Sequence, residues 1–340
     1  MKHRDEQMHH GGDLALAIDR YGGTEGDWLD LSTGINPHAY PILESLAAEV
    51  WQRLPGQNAL DRLLGAARKA YACPEHFGLV AAPGTQALIA LLPDLFPEGD
   101  AAVVAPTYSS HAAAWARSGR KPLEVGYLEA IADTTRYAVV VNPNNPDGRL
   151  TSRASLQAAA GTLAARDGFL IIDEAFADAV PGASILPSIG TENILVLRSF
   201  GKFFGLAGLR LGFLAGPRRI TQMLSERLDS WAVSGPALEI GRKALTDMTW
   251  QEAMRRQLAD EMADLTLLLS EQGLSVFGGT PLFALAGTKN AAALHEALAR
   301  QRIWTRVFDY APTWMRIGLP GSAENMDRLR QALAEALKEL

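Results

Sequence analysis

Cysteine is almost absent from this chain of 340 residues, which contains a single one, Cys73. One cysteine cannot form an intrachain disulfide, so the composition gives no sign of an oxidising compartment. The apolar runs are too short to cross a bilayer, and the N-terminal stretch has no apolar core of the kind a signal peptide needs. We therefore expect a cytoplasmic protein with no membrane partner.

An excess of positive charge is also missing. The 32 Lys and Arg residues are outnumbered by 38 Asp and Glu residues, and the formal net charge is −6. No basic stripe stands out to attract phosphates, so we expect no nucleic-acid partner. Walker loops, His-Glu-x-x-His, cysteine pairs and Gly-x-Ser-x-Gly are absent, and no metal site is predicted.

The pattern that is present is an alternation of short apolar segments with helical ones. Apolar segments that we expect to be strands lie at 78–82, 100–105, 121–125, 137–141, 169–172, 194–197 and 209–215. Segments with helical spacing of apolar residues include 42–53, 59–71 and, continuously, 218–272. Continuous Val, Ile and Leu strands between helices predict an α/β fold with a mostly parallel sheet covered on both faces.

The chain is long enough for a large domain and a smaller one. Residues 1–40 read as an extended arm, residues 41–235 as a large α/β domain and residues 236–340 as a small α+β domain. Short strands are expected in the small domain at 282–285, 304–307 and 314–317.

Polar residues follow the predicted strands where each one ends. They are Gly84-Thr85-Gln86, Tyr108, the turn 142–146, Asp173 and the turn 199–202. Each has an ordinary structural explanation, as a helix cap, a packed aromatic or a turn. Ligands of open α/β sheets bind at that edge, however, and the recurrence at strand after strand predicts a binding site there.

The stretch from Ser199 to Gly212 contains the chemically most informative residue, Lys202. A lysine among glycines and aromatic residues loses hydration of its ammonium form, so we expect its pKa to fall toward that of a nucleophilic amine. Such an amine forms a Schiff base with a carbonyl cofactor. Taken alone, the stretch equally fits an exposed lysine in a glycine-rich loop.

The other strand-end residues suit one cofactor, pyridoxal phosphate. The N–H groups near Thr85 and Gln86, with Ser199 and Arg210, suit a phosphate. The ring of Tyr108 suits a heteroaromatic partner, and the carboxylate of Asp173 would keep a pyridine nitrogen protonated.

The order Gly-Thr-Gln, Tyr, Asn-Pro-Asn-Asn-Pro-x-Gly, Asp-Glu-Ala-Phe, Ser-x-x-Lys, Gly-Leu-Arg-x-Gly resembles the fold-type I pyridoxal-phosphate enzymes. Within these enzymes it is similar to the histidinol-phosphate aminotransferase branch of class I/II aminotransferases. The resemblance implies a mostly parallel seven-stranded sheet with a smaller α+β domain, and a homodimer with active sites at its interface.

The same resemblance assigns a role to individual residues. It implies Lys202 and Asp173 as the catalytic pair, the first bound to the cofactor and the second to its pyridine nitrogen. The implied cofactor-binding residues are Asn145 at the phenolic oxygen, before a cis peptide bond to Pro146, Tyr108 stacked on the ring, and Thr85, Gln86, Ser199 and Arg210 at the phosphate. Arg316 matches the arginine that binds the substrate carboxylate, for which a bidentate fork is the physical reason.

Three departures from the aminotransferase pattern matter for the reaction. Phe176 replaces a tyrosine that bonds the cofactor, and Leu54 stands where a tyrosine usually reaches across the dimer. The segments His10-Gly-Gly-Asp13 and Leu31-Ser-Thr-Gly-Ile-Asn-Pro37 also differ. These features resemble the threonine-phosphate decarboxylase family of cobalamin biosynthesis. That resemblance implies conversion of L-threonine O-3-phosphate to (R)-1-amino-2-propanol O-2-phosphate and carbon dioxide.

Four residues are predicted to bind the phosphorylated amino-acid substrate: His10, Asn36, Arg306 and Arg316. For His10 a disordered tail or a weak adventitious metal site is the competing interpretation, and for Arg306 it is a surface salt bridge. An aminotransferase acting on a phosphorylated amino compound such as histidinol phosphate is the alternative enzyme. A scaffold that keeps the fold without catalysis is the non-enzymatic alternative, and the intact pair of Lys202 and Asp173 argues against it.

Overall fold

The computed structural model describes residues 11–42 and 46–340 of the chain. Its described residues divide into two compact units. One contains residues 11–38 together with Met254–Leu340, and we call it the terminal unit; the other, Ala39–Ala253, is the central unit. The divisions fall at 38/39 and 253/254, against 40/41 and 235/236 expected from the sequence.

The described residues form the following α-helices: α1 (Leu14–Tyr21), α2 (Ala48–Gln52), α3 (Gln57–Ala70), α4 (Thr85–Leu91), α5 (Ser110–Arg117), α6 (Arg153–Ala164), α7 (Phe200–Phe203), α8 (Arg218–Leu228), α9 (Gly235–Thr246), α10 (Met248–Glu271), α11 (Ala291–Arg300) and α12 (Ala323–Glu339). Their strands are β1 (Leu29–Asp30), β2 (Phe77–Ala82), β3 (Asp100–Val104), β4 (Leu123–Val125), β5 (Thr135–Val141), β6 (Phe169–Asp173), β7 (Ile194–Ser199), β8 (Gly212–Pro217), β9 (Ser275–Thr280), β10 (Phe283–Gly287), β11 (Ile303–Trp304), β12 (Arg306–Phe308) and β13 (Ala311–Gly318).

The central unit is built on a seven-stranded sheet in the order β2-β8-β7-β6-β5-β3-β4. Strand β8 runs antiparallel to both of its neighbours, and all other neighbouring pairs are parallel. The prediction of a mostly parallel sheet in an α/β fold is therefore confirmed. Because β2, β3, β5, β6 and β7 share one direction, their carboxyl ends lie at the same edge of the sheet.

The sheet is stable because its strands are apolar on both faces and helices cover them. In β5, β6 and β7 nearly every side chain is buried. Aromatic rings fill the space beside them, with Phe96 stacked on Tyr137 at 4.9 Å between ring centroids. Each fully buried large apolar side chain of this kind contributes about 1.5–3 kcal/mol by its removal from water.

Some predicted helices differ in extent from the observed ones. Among the described residues of the segment 42–53, where one helix was expected, α2 is helical, and the continuous helical pattern of 218–272 forms three helices. The break between α8 and α9 contains Asp229 and Trp231, both in the left-handed backbone region at φ 59° and 61°. That conformation stops a right-handed helix, and apolar spacing does not reveal it.

The terminal unit contains a four-stranded antiparallel sheet in the order β12-β13-β10-β9, with α11 and α12 among its helices. This is the small α+β architecture expected for the C-terminal part of the chain. Strand β9 was not predicted, and the strand expected over 304–307 is divided into β11 and β12.

The sequence predicts an extended arm over residues 1–40, but residues 11–38 contain regular secondary structure. They begin with helix α1, and strand β1 then pairs in parallel with β11 of the same unit. Among the described residues, no helix combines the length and apolar character that crossing a membrane requires.

Candidate active site

The turn after strand β2 brings together the residues predicted to bind the cofactor phosphate. A Cβ atom on Gly84 would lie 2.8 Å from a guanidinium nitrogen of Arg210, and one on Gly212 would lie 2.5 Å from the amide nitrogen of Thr85. Gly212 also pairs with Ser199 across β7 and β8. Thr85, Ser199 and Arg210 therefore surround a cradle that side chains at the glycine positions would fill. Its N–H and guanidinium donors suit a phosphate dianion.

A chain of polar contacts runs along the same sheet edge and ends at Asp173. The Tyr108 hydroxyl donates to Oε1 of Gln86 at 3.0 Å, and the ring of Tyr108 meets that of His111 edge-on. His111 Nε2 lies 2.9 Å from Oδ2 of Asp173. The other carboxylate oxygen accepts from the amide of Ala175 at 3.0 Å. The carboxylate is thus buried and fixed in orientation, as a partner for a protonated ring nitrogen must be.

His111 was not singled out in the sequence, where only its nearness to Tyr108 marks it. It lies three residues after Tyr108, in the first turn of α5. Tyr108 precedes this helix, and the amide of His111 donates to its carbonyl oxygen at 3.2 Å, so the turn before α5 holds the two residues together. With its own side chain only 3% exposed, His111 can set the position of Asp173 by a hydrogen bond shielded from water.

Lys202 lies in the short helix α7, between aromatic side chains that hold the turn. Phe200 and Phe204 are stacked at 4.4 Å between centroids, and both are buried. The Lys202 Nζ is 5.9 Å from the centroid of the Phe176 ring, within the range of an attraction between a cation and an aromatic face. Phe176 is itself buried, so the side chain at the position where the resemblance implies a tyrosine offers a ring and no hydroxyl beside Lys202.

Asn145 lies in the turn that follows β5, and its peptide bond to Pro146 is cis. The neighbouring Asn144 braces this turn, since its amide group donates to Pro106 O at 3.0 Å and to Asp147 Oδ1 at 2.8 Å. The turn is therefore held at the ligand edge of the sheet. The contact of Asn145 with a phenolic oxygen stays a prediction.

A cluster of buried charges lies directly beside these residues in sequence, and the sequence did not reveal it. Arg198, which precedes Ser199, donates to both Glu174 and Asp178, and its guanidinium lies 4.4 Å from the centroid of the Tyr71 ring. Glu174 also accepts from the amide of Ile185 at 2.8 Å. We call Arg198, Glu174 and Asp178 the buried ion cluster. It joins the segment after β6 to the end of β7.

In the terminal unit, two of the predicted substrate-binding residues face each other. Arg306 in β12 and Arg316 in β13 are direct partners across an antiparallel strand pair. Burial lowers the pKa of both, and the charge of Arg306 helps to lower that of Arg316 to about 10. Like charges placed directly opposite destabilise a sheet, so this pair is costly to the fold by itself.

Asn36 is also part of the terminal unit and is buried there. Its side-chain oxygen accepts from the amide of His38, whose imidazole contacts Glu261 of α10 at 2.7 Å. His10, the fourth predicted substrate-binding residue, lies outside the described residues. Asn36, Arg306 and Arg316 thus belong to one unit, and Lys202 and Asp173 to the other.

Residues 57–333 match the aminotransferase class I and II family, and the chain belongs to that family. Its relatives include the threonine-phosphate decarboxylase of Sinorhizobium sp, which is 42% identical over 96% of this chain and 97% of its own length. The threonine-phosphate decarboxylase of Pseudomonas aeruginosa is 40% identical over the same shares of the two chains. The crystal structure of the histidinol-phosphate aminotransferase from Clostridium acetobutylicum has the same fold, with a TM-score of 0.79 at 21% identity, covering 91% of this chain and 99% of that one.

The expected enzyme class and cofactor are thereby confirmed: the chain is a pyridoxal-phosphate-dependent enzyme of this family. Its residues fit the cofactor on structural grounds as well. The cradle at Gly84 would be blocked by any larger side chain, and the buried carboxylate of Asp173 lies at the same sheet edge as Lys202. The roles of the individual residues remain predictions.

Proposed function

We propose that the protein decarboxylates L-threonine O-3-phosphate, yielding (R)-1-amino-2-propanol O-2-phosphate and carbon dioxide, as a step of cobalamin biosynthesis. The names of two relatives that match nearly the whole chain support the reaction. The place in cobalamin biosynthesis rests on the family resemblance.

The observation that carries the proposal is the pair of facing arginines, Arg306 and Arg316. The buried guanidinium of Arg316 in register with the half-buried guanidinium of Arg306 raises the free energy of the sheet, and a bound anion lowers it again. A substrate with both a carboxylate and a phosphate offers the charge that such a pair suits. Arg316 is the proposed partner of one anionic group, with Arg306 and Asn36 contributing to the other.

The residues of the central unit are proposed to hold the cofactor and to handle the proton. Bound pyridoxal phosphate supplies an electron sink that stabilises negative charge at the substrate Cα. Asp173, oriented by His111, would keep the pyridine nitrogen protonated. When the bond from Cα to the carboxylate breaks, carbon dioxide leaves and Cα takes up one proton, for which Lys202 is the proposed donor.

Phe176 favours decarboxylation over transamination in this proposal. The family's tyrosine would offer a hydroxyl to the cofactor, whereas Phe176 places a hydrocarbon ring 5.9 Å from Lys202 Nζ. A ring that cannot donate a hydrogen bond alters the electron distribution of the bound cofactor. It also excludes water from the neighbourhood of the amine.

A cytoplasmic homodimer completes the proposal. The central unit exposes apolar side chains, among them Trp51 and Leu54, each 67% accessible to solvent. Exposed apolar residues of this size suit an interface between copies. Sedimentation of the protein should give the mass of a dimer, and a monomer at micromolar concentration would contradict this part.

A product assay tests the reaction. The holoenzyme is incubated with threonine phosphate alone, and separately with histidinol phosphate and 2-oxoglutarate. We expect carbon dioxide and phosphorylated aminopropanol from the first mixture and no glutamate from the second. Lys202→Ala is the control that should abolish turnover. Formation of glutamate, or a requirement for 2-oxoglutarate with threonine phosphate, would support the aminotransferase instead.

A further inference from the structure

A hydrogen bond to the backbone holds the side chain of Arg316. Its guanidinium donates a hydrogen bond to the carbonyl oxygen of Ser32, a residue that is only 1% exposed. A guanidinium has a fixed planar fork, so a bond to one of its terminal nitrogens constrains where the rest of the fork can point. The Ser32 carbonyl therefore limits the directions in which Arg316 can receive an anion.

Ser32 is itself held on two sides. Its amide and its hydroxyl both donate to Oδ1 of Asp30, at 2.8 Å and 2.6 Å. Its hydroxyl oxygen also accepts from the amide of Gly12 at 2.8 Å. One serine thus connects Asp30 and the chain near Gly12 with the arginine of β13.

The chain at Gly11 and Gly12 lies directly against this contact. A Cβ atom on Gly11 would be 2.4 Å from the Ser32 carbonyl oxygen, which is the oxygen that accepts from Arg316. Gly12 has a φ of 89°, a conformation that other residues rarely adopt. Only glycine at both positions permits so close an approach.

A third glycine, Gly318 at the end of β13, packs against the backbone on either side of Ser32. The amide of Gly318 donates to the carbonyl of Leu31 at 2.8 Å. A Cβ atom on Gly318 would lie 2.5 Å from the carbonyl oxygen of Thr33. The backbone on either side of Ser32 is therefore in contact with the strand end that carries Arg316.

We propose that Ser32 is a positioning residue for substrate binding: its carbonyl orients Arg316, and its hydroxyl fixes the Gly11-Gly12 turn over that hydrogen bond. The turn keeps water from the Ser32 carbonyl, and a charge-assisted bond is stronger where water is excluded. The inference rests on the proposed function, because it takes Arg316 to be the residue that binds the substrate anion.

The proposal assigns a purpose to the two glycines of the His-Gly-Gly segment. They are needed for their lack of a side chain, since a methyl group at Gly11 would displace the turn from Ser32. The effect of such a change should fall on anion binding. The cofactor-binding residues belong to the other unit and should keep their affinity for pyridoxal phosphate.

The test compares Ser32→Ala, Gly11→Ala and the control Gly26→Ala in the full-length holoenzyme. Gly26 lies in the same N-terminal part of the chain, and a Cβ atom there would meet nothing within 4 Å. Five quantities are measured: kcat and KM for threonine phosphate, the dissociation constant of inorganic phosphate, the pyridoxal phosphate affinity and the Tm. Because the cofactor occupies its own phosphate cradle in the holoenzyme, added phosphate reports on the substrate side.

We expect Ser32→Ala and Gly11→Ala to raise KM and the phosphate dissociation constant about tenfold, equivalent to about 1.4 kcal/mol. Their kcat should fall less than this, and their cofactor affinity and Tm should match those of Gly26→Ala. Unchanged KM and phosphate affinity would overturn the proposal. So would losses in Tm and cofactor affinity that parallel the loss in KM, because these indicate a merely structural role.

Failure of the proposed function gives a different result. A wild-type holoenzyme that binds phosphate without decarboxylating threonine phosphate would refute the proposed reaction. The phosphate affinities of the variants would then still decide the role of Ser32. A wild-type enzyme that binds neither compound would refute both.

Discussion

Arg198 in the central unit and Arg316 in the terminal unit are both buried arginines, but their charged neighbours are of opposite sign. Arg198 donates to Glu174 and Asp178, and although burial lowers its pKa, these carboxylates raise it overall. Arg316 faces a second arginine, and burial together with Arg306 lowers its pKa to about 10. The first charge is neutralised within the chain. In our proposal the second charge is the one that binds the substrate anion.

This difference separates a structural charge from one that we propose to be functional. A buried ion pair contributes little net stability, but removing one partner leaves an uncompensated charge and is strongly destabilising. A buried arginine kept against another arginine is costly to the fold in the absence of an anion. The comparison predicts that the two arginines respond to substitution in opposite ways, one in activity and the other in stability.

The largest effect is expected for Arg316→Met, which removes the charge and keeps most of the volume. We expect kcat/KM for threonine phosphate to fall by at least about a thousandfold, in line with the loss of a buried hydrogen-bonded charge partner. Thermal stability should be equal to that of the wild type or higher, because a buried charge has been removed. Steady-state kinetics and thermal unfolding measure the two responses. A clear drop in Tm with activity retained would show that Arg316 stabilises the fold and does not bind the substrate.

Arg198→Met should give the reverse pattern. It leaves the carboxylates of Glu174 and Asp178 buried without their cation, and we expect a loss of about 3–5 kcal/mol in the free energy of unfolding. Urea denaturation of the holoenzyme measures this loss. The folded fraction should retain a KM for threonine phosphate within about twofold of the wild type. A rise in KM without a loss in the free energy of unfolding would place Arg198 with the functional charges.

His295 sharpens the comparison, because unlike an arginine it can lose its proton near neutral pH. Burial lowers its pKa to about 4, with Arg20 and Arg306 lowering it further against an opposing effect of Glu296. Between pH 6.5 and 4 the unfolded chain therefore binds a proton that the folded chain does not, so stability falls as the pH falls through this window.

The expected size of the His295 effect is on the order of 1–3 kcal/mol. It is measured by urea denaturation at pH 7 and pH 4.5 of the wild type and of His295→Gln. The wild type should lose more stability than the variant between the two pH values. Equal losses would show that His295 is protonated in the folded protein.

The smallest effect is expected for an ion pair at the surface. Arg166 and Asp133 lie 2.9 Å apart, and the Asp133 side chain is fully exposed. Asp133→Ala should change the free energy of unfolding by no more than about 1 kcal/mol and leave kcat/KM unchanged. The same unfolding and kinetic measurements apply. A larger effect would mean that burial is not what distinguishes the charges compared above.

The parallel sheet and the positions of its ligand-edge residues could be predicted from the sequence. Strands such as β5 and β6 are continuous apolar runs, and each is followed by a polar residue that the chain order places at one edge. The family motifs then identified the cofactor. These features are local in sequence, which is why one sequence was sufficient for them.

The buried ion cluster, His111 and Ser32 could not be found in the same way. Glu174 and Arg198 look like ordinary charged residues, and only the pairing of β6 with β7 makes them partners. The contact of Gly11 with Ser32 depends on where distant segments pack, which no periodicity records. The break between α8 and α9 depends on left-handed residues that apolar spacing does not mark.

The central claim is that the enzyme breaks the bond between Cα and the carboxylate of threonine phosphate. Turnover in D₂O followed by NMR of the product tests it most directly. Decarboxylation keeps the hydrogen already on Cα and adds one from solvent, so the account predicts one protium and one deuterium at C1 of the phosphorylated aminopropanol. Loss of the original Cα hydrogen, with formation of an oxo acid in the presence of 2-oxoglutarate, would contradict it.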